Sequence, residues 1–497
     1  MTKSLLPPAG CPACVARDVV IAAQEAAISE QQAAIAELQA RVERLERLVS
    51  RNSGNSSFPP SMDAQPGRAR PKPKPRARRR SDGSRAQGKQ PGAPGSHLAW
   101  SARPDERVAC FPQGRCRCGA ALAGGADLGV AASHQQVEIP LVSARVIQHD
   151  RHAVRCGCGQ VTGAPAPPGA GAPGTVTYGP NLQAWCVYLM VTHAIPVHRC
   201  AELIAALTGA APSAGFVHGM LARAAAAVKT ANTLIRALVI AAPAVCCDET
   251  PLRAGPGPGW RKRWLLAAAT PLLTYYTLAD RNTASFAAFV LPDAAGVVVH
   301  DRYAVYDYPK VGVGTHQLCC AHLLRDLEDA AQTYPDAAWP AQITAALSSL
   351  IHAANTARAQ GLPAVPHTTA APLITACRDA ITAGLADLAA RPGARGRHHR
   401  HHRQRLLEDL RDREADVLRF TTDTRIPPTS NQAERDLRPA KTQEKISGRL
   451  RSETTTRHRY AIRGYLSTAT KHGNSAITTL RDAITGTPWM PPIPDNL

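Results

Sequence analysis

Between Val20 and Val49 apolar residues recur every seven positions, with Ile21, Ile28, Ile35, Val42 and Val49 in one phase and Leu38 and Leu45 in the complementary one. β-Branched residues at the first position and leucine at the fourth favour a parallel two-stranded coiled coil. Gln24 and Gln31 hold the earlier fourth positions, so the seam weakens toward its start. One amphipathic helix packed on its own protein is the alternative. The pattern predicts a coiled coil over 18–50 and, through it, a homodimer or higher oligomer.

Periodicity stops at residues 51–104, where Asn, Ser, Pro, Gly and Arg dominate. Such a stretch cannot bury enough apolar surface to fold and reads as a basic, disordered linker. Residues 105–165 carry paired cysteines and one strand-like segment, Gln135 to Ile139. Residues 175–238 are Ala-rich and helical. Within them, Ala201 to Leu207, a turn at Thr208 to Ser213, and Gly215 to Val228 have helix-turn-helix spacing, which ordinary helical hairpins share.

From Ala244 the pattern turns α/β. Ala244 to Cys247 is a short apolar strand ending at Asp248, and Arg261 to Ala269 and Leu272 to Leu278 are strands around Thr270-Pro271. A helix is expected over Asn282 to Leu291. Gly296 to His300 is a second buried strand, ending at Asp301, and a further strand at Gln317 to Cys320 precedes a helix from His322. Residues 331–425 return to a helical composition and read as an insertion between a first core segment, 240–330, and a closing one, 426–475, before a tail at 476–497. In the closing segment Ser430 or Asn431 offers an N-cap, and Pro439 predicts a kink or a stop.

Length and charge narrow the class. A chain of 497 residues exceeds one ordinary core, so several domains are expected. The net charge of +20 favours a polyanionic partner, and residues Arg68 to Lys89 alone hold ten Lys or Arg against one acid, Asp82. No uninterrupted apolar run of about 18 residues predicts a membrane span. The first ten residues lack a charged-then-apolar leader, so an intracellular location is expected, and the fourteen cysteines read as thiols or metal ligands rather than disulfides.

Two apolar strands that each end in Asp invite a chemical reading. Burying a carboxylate is costly unless it is paired or bound to metal. If the strands are neighbours, Asp248 and Asp301 converge, and a divalent cation removes their repulsion. Strand-terminal Asp residues also simply begin turns. A third acid, Glu434, opens the polar helical stretch Asn431 to Lys445. Three carboxylates holding Mg²⁺ or Mn²⁺ suit phosphodiester cleavage, in which two metals activate the attacking oxygen and stabilise the leaving one.

The words Cys247-Asp248-Glu249-Thr250, Asp301-Arg302-Tyr303-Ala304-Val305-Tyr306, Cys320-Ala321-His322 and Asn431-Gln432-Ala433-Glu434-Arg435-Asp436-Leu437-Arg438-Pro439 resemble the large transposase of the bacterial insertion sequence 66 family. So do Lys441, Lys445, Ser447-Gly448, Arg51-Asn52-Ser53 to Ser57 and Gly88-Lys89-Gln90-Pro91-Gly92. The resemblance implies a ribonuclease-H-like core with a helical insertion, and Asp248, Asp301 and Glu434 as its catalytic triad of acids. It implies hydrolysis at the ends of a mobile element, joining of the 3′ ends to target DNA, a nucleoid-associated cytoplasmic location and accessory proteins from the same element. Two residues depart from the pattern: Arg302 where Gly is usual, and Ser430 where Asn is usual. An inactive, repressor-like DNA-binding copy and a nuclease without strand transfer are the competing readings.

Two Cys-x-Cys-Gly knuckles, Cys116 with Cys118 and Cys156 with Cys158, suit tetrahedral structural Zn²⁺, the glycine relieving each tight turn. The resemblance implies the same zinc module, and Cys110 is a substitute ligand. Cys11 and Cys14 form a third pair with no second knuckle nearby. Cys246, Cys247, Cys319 and Cys320 read as core residues. His322 is either a phosphate contact or a structural histidine, and His398, His399, His401 and His402 sit in a basic, DNA-facing tract. Arg435, Arg438, Lys441 and Lys445 follow Glu434 and are candidates to hold the DNA backbone.

Overall fold

A computed structural model describes residues 12–50, 98–139, 142–166, 174–255, 261–390 and 400–494. Residues 51–97, Cys11, and His398 and His399 of the histidine tract lie outside the described residues. The chain is a mixed α/β protein with a helical majority.

Helix α1 (Pro12–Ser50) is continuous over 39 residues. Its heptad positions Ile21, Ile28, Ile35, Leu38 and Val42 are all exposed. Residues 98–166 are mostly irregular apart from a small antiparallel pair, β1 (Ala153–Arg155) and β2 (Val161–Gly163). Gln135 to Ile139, expected as a strand, has no partner among the described residues to complete a ladder. Val137 and Ile139 stay exposed, and the Gln135 amide instead bonds both backbone groups of Ser101 at 2.8 Å.

Four helices follow: α2 (Pro180–Val191), α3 (Val197–Thr208), α4 (Ala214–Ala227) and α5 (Lys229–Ala241). Gly209, at φ 74°, closes α3 in the left-handed region, and the Ser213 hydroxyl accepts from Phe216 N at 3.1 Å to cap α4. Among the described residues no single helix is long and apolar enough to cross a membrane. The α4–α5 pair is apolar enough taken together but bends by 52°. Its apolar side, including Val217, Met220 and Ile235, is buried in the core.

The central sheet holds β3 (Ala244–Ala254), β4 (Arg261–Ala269), β5 (Thr274–Ala279), β6 (Val297–His300) and β7 (His316–Leu318), in the order β5-β4-β3-β6-β7. β3, β4 and β5 are antiparallel, whereas β6 and β7 run parallel to β3. Between β5 and β6 lies the short helix α6 (Thr283–Ala287), ending earlier than the apolar pattern suggested. Gly296 lets β6 start there, since a Cβ would stand 2.3 Å from the carbonyl oxygens of Ala242 and Pro243.

Side-chain alternation gives the sheet two covered faces. Val245, Cys247, Leu266 and Val298 pack against α2–α5 and against α13 (Glu453–Lys471) and α14 (Ala476–Ile484). Cys246, Val297, Val299 and Leu318 face the other way, onto α7 (Cys320–Thr333), α8 (Trp339–Ala359), α9 (His367–Ala390), α10 (Arg400–Asp412) and α11 (Glu414–Thr422). Each fully buried aliphatic side chain contributes about 1.5–3 kcal/mol. Helix α12 (Asn431–Ser447) covers the β3–β4 end through Leu437 and Ala440 and runs on through Pro439. At its start Ser430 occupies the cap position, but its hydroxyl makes no capping bond.

Candidate active site

The parallel register of β3 and β6 pairs Cys246 with Val299. Asp248 and Asp301 each lie two residues further on, side by side on neighbouring strands. β3 does not end at Asp248 as its apolar run suggested: it stays paired with β4 as far as Ala254, so Asp248 lies inside β3 and only Asp301 follows a strand end. Asp301 also begins a turn, whereas Asp248 does not. Asp248 Oδ1 accepts from Glu249 N at 2.8 Å and Asp301 Oδ1 from Tyr303 N at 3.0 Å. Burial and the negative charge of Asp301 push the Asp248 carboxyl up to about 7, against the pull of His322. A residue with only a structural task inside a strand has no reason to sit at that cost.

Glu249 is a third acid in this neighbourhood, and the strand pattern gave it no role. Burial, Asp301 and Asp248 raise it to about 8, partly countered by Arg281. Arg281 donates to Glu249 Oε1 through Nε at 2.9 Å and Nη2 at 2.7 Å.

His322 lies beside the same acids. Burial works against its imidazolium, yet a hydrogen bond to Cys319 and the charges of Cys319, Asp301 and Asp248 raise it to about 9. Burial would likewise raise the Cys319 thiol, but His322 and Ser430 hold it at about 7. Ser430 N donates to Cys319 Sγ at 3.2 Å, tying the entry of α12 to this pair. Cys246, Cys247, Cys319 and Cys320 are all buried, as core residues should be, and Cys319 has this polar task besides.

Glu434 stands in the first turn of α12, half-buried, with Arg325 at 3.6 Å and Arg438 at 3.4 Å. What fixes this helix is Asp436, which the sequence motif contains but whose task was not evident. Its carboxylate takes Lys471 Nζ at 2.7 Å and the Thr274 hydroxyl at 2.8 Å, binding α12 to α13 and β5. Among the described residues no three His, Cys, Asp or Glu side chains are gathered closely enough to hold a metal ion. Asp248 and Asp301 are together, whereas Glu434 is engaged by its two arginines.

Arg302, the departure beside Asp301, does not neutralise it. Its guanidinium is held by buried Asp326 on α7 and by Asp409 on α10 at 2.7 Å, bracing the loop against the helical layer. Of the proposed DNA contacts, Arg435, Arg438 and Lys445 are exposed. Lys441 is partly buried, its Nζ 3.5 Å from Pro251 O, and burial lowers its ammonium from the usual range.

The two cysteine knuckles are built alike. Gly119 N bonds Cys116 O and Gly159 N bonds Cys156 O, both at 2.8 Å, with the glycines at φ 92° and 91°. Within each knuckle the second cysteine lowers the first thiol through backbone and side-chain hydrogen bonds. The two pairs do not meet in one four-sulfur set.

Comparison with known families fits a sheet that carries acids side by side on two neighbouring strands. The profile described as Transposase IS66 family matches residues 175–458, more than half of the chain. The chain belongs to that family and is a transposase by membership. Residues 15–99, spanning α1 and the linker, match a family of unknown function (DUF6444). No curated protein matches the chain.

Proposed function

We propose that the protein binds the ends of a mobile DNA element, hydrolyses a phosphodiester there, and joins the freed 3′-hydroxyl to target DNA. The observation that carries this reading is the pair Asp248 and Asp301, two carboxylates side by side on neighbouring parallel strands of an IS66-family chain, the first inside β3 and the second just past β6. The raised Asp248 carboxyl, with no Lys or Arg bonded to it or to Asp301 among the described residues, suits a site that awaits a cation. We read the sheet as ribonuclease-H-like. Its order of three antiparallel strands followed by two parallel ones, with helices on both faces, supports that assignment.

Asp248, Asp301 and Glu434 would hold Mg²⁺ or Mn²⁺, for which hard carboxylate oxygens are fitting donors. When bound, the metals supply charge for the attacking and leaving oxygens. Glu434 would exchange Arg325 and Arg438 for that role, leaving the two cations free for phosphate. The protein's own contribution is placement. The register of β3 and β6 sets the two aspartates, Asp436 with Lys471 sets α12, and Arg435, Arg438, Lys441 and Lys445 present positive charge along the helix that follows Glu434.

The twin knuckles support the zinc reading, since a thiol pair on a left-handed glycine turn is half of a tetrahedral site. Zn²⁺ binding would couple to closure of Cys116 and Cys118 on Cys156 and Cys158. The exposed heptad seam of α1 supports dimerisation.

The test is to incubate the protein with labelled element ends, a target plasmid and Mg²⁺. Joined products are expected. Cut ends without joining would assign a nuclease, and binding without cleavage a repressor-like copy.

A further inference from the structure

Beside the paired aspartates the fold builds a cationic site that the three acids do not include. Glu249 follows Asp248 on β3, and strand alternation turns it to the opposite face, where its side chain is 3% exposed. One carboxylate oxygen takes both bonds from Arg281, and the other lies 3.3 Å from the Tyr306 hydroxyl. The Arg281 guanidinium also lies over two rings, 3.7 Å from the centroid of Tyr303 and 4.5 Å from that of Trp264. Tyr303 N donates to Asp301 Oδ1, so the ring under the cation and Asp301 share one turn of backbone.

Bracing of this kind has a physical consequence. A guanidinium carries five N–H donors, and Glu249 takes two of them. The Arg281 side chain is nonetheless one-third exposed, at 33%. Held by a carboxylate and two rings, it has little side-chain entropy left to lose on meeting a ligand. Its planar fork matches phosphate oxygens. Lys262 adds a second cation to the column, its Nζ 5.1 Å from the Trp264 centroid. Lys262 is also the register partner of Arg253 on β3. Like charges set opposite one another cost stability in a ladder, and a polyanion lying across them reverses that cost.

We infer that Arg281, braced by Glu249, Trp264 and Tyr303, is a binding site for a DNA backbone phosphate beside the turn that carries Asp301. There it positions the strand to be cut. The inference rests on reading Asp248 and Asp301 as the catalytic acids. Glu249 is the positioning residue of this site, acting only through Arg281.

The test uses the full chain and a labelled duplex of element end in EDTA, titrated by fluorescence polarisation over a range of salt. Arg281→Ala is expected to weaken binding about tenfold and to flatten the salt dependence by about one counterion, the value for one lost phosphate contact. Arg281→Lys keeps the charge but loses the fork, so the slope is expected to stay while KM for Mg²⁺-dependent hydrolysis rises about fivefold. Glu249→Gln is expected to raise KM in the same way. An Arg281→Ala protein with unchanged affinity and slope overturns the inference. If that variant does not fold, an unchanged KM in Arg281→Lys does so. Asp248→Asn in the same titration separates the two readings. Retained binding with lost hydrolysis upholds the acids whatever Arg281 does, whereas retained hydrolysis overturns the acids and leaves the binding result standing.

Discussion

Replacing Asp248 by Asn should stabilise the metal-free protein while abolishing its chemistry. The carboxyl is pushed from 3.8 to about 7 by burial and by Asp301. One unit corresponds to about 1.4 kcal/mol, so ionising Asp248 in the folded chain costs about 4 kcal/mol. Because the folded value lies above the unfolded one, this cost is absent below about pH 4, grows as pH rises through the interval, and is complete above about pH 7. Asp301 shares the repulsion and the new amide needs partners, so the gain expected at pH 8 is about 1–3 kcal/mol. That is a rise of a few degrees in melting temperature. At pH 4.5 the gain should fall below about 1 kcal/mol. Thermal melts of both proteins in EDTA at the two pH values make the comparison. A variant destabilised at pH 8, or a gain that does not depend on pH, would refute the argument that two buried carboxylates, with no Lys or Arg between them, repel each other here.

Other expectations follow from the same geometry. Gly296→Ala should cost about 3 kcal/mol or more, since the 2.3 Å contacts of its Cβ are with backbone oxygens that cannot step aside, and a melting curve reads this directly. Ile28→Asp with Ile35→Asp should convert a dimer to a monomer in light scattering, and an unchanged mass would return α1 to the role of a single-chain helix. Metal analysis of protein purified without chelator should find one zinc per chain, lost in Cys118→Ser with Cys158→Ser. Equal zinc in both proteins would remove the four cysteines from the site.

Several elements were legible because their signals are local. The apolar run before Asp301 became β6, the run before Asp248 became only the first part of a β3 that continues to Ala254, and the helical composition of the insertion became α8 to α11. Ser213 and Gly209 mark helix ends because capping and left-handed turns depend on one or two residues. Other features depend on partners far along the chain. Gln135 to Ile139 alternates like a strand, but a strand needs a ladder, and none is within reach among the described residues. Pro439 was expected to interrupt α12, yet the helix continues across it, its Leu437 and Ala440 packed on the sheet. The neighbourhood of the acids was least legible. Arg281 and Glu249 are 32 residues apart, Lys471 and Asp436 are 35 apart, and Arg302 meets Asp409 across 107. No periodicity records such meetings. Glu249 stood in the sequence word beside Asp248, and the alternation of β3 could have shown that it faces the opposite side.

The central claim is that Asp248, Asp301 and Glu434 act as one metal-holding set. The most direct measurement is the rate at which Asp248→Asn, Asp301→Asn and Glu434→Gln hydrolyse a labelled element end in Mg²⁺. Each variant should lose about a thousandfold or more, the equivalent of several kcal/mol of transition-state stabilisation. A Glu434→Gln protein that cuts within tenfold of the parent would contradict the account. Its carboxylate would then belong to Arg325 and Arg438 alone.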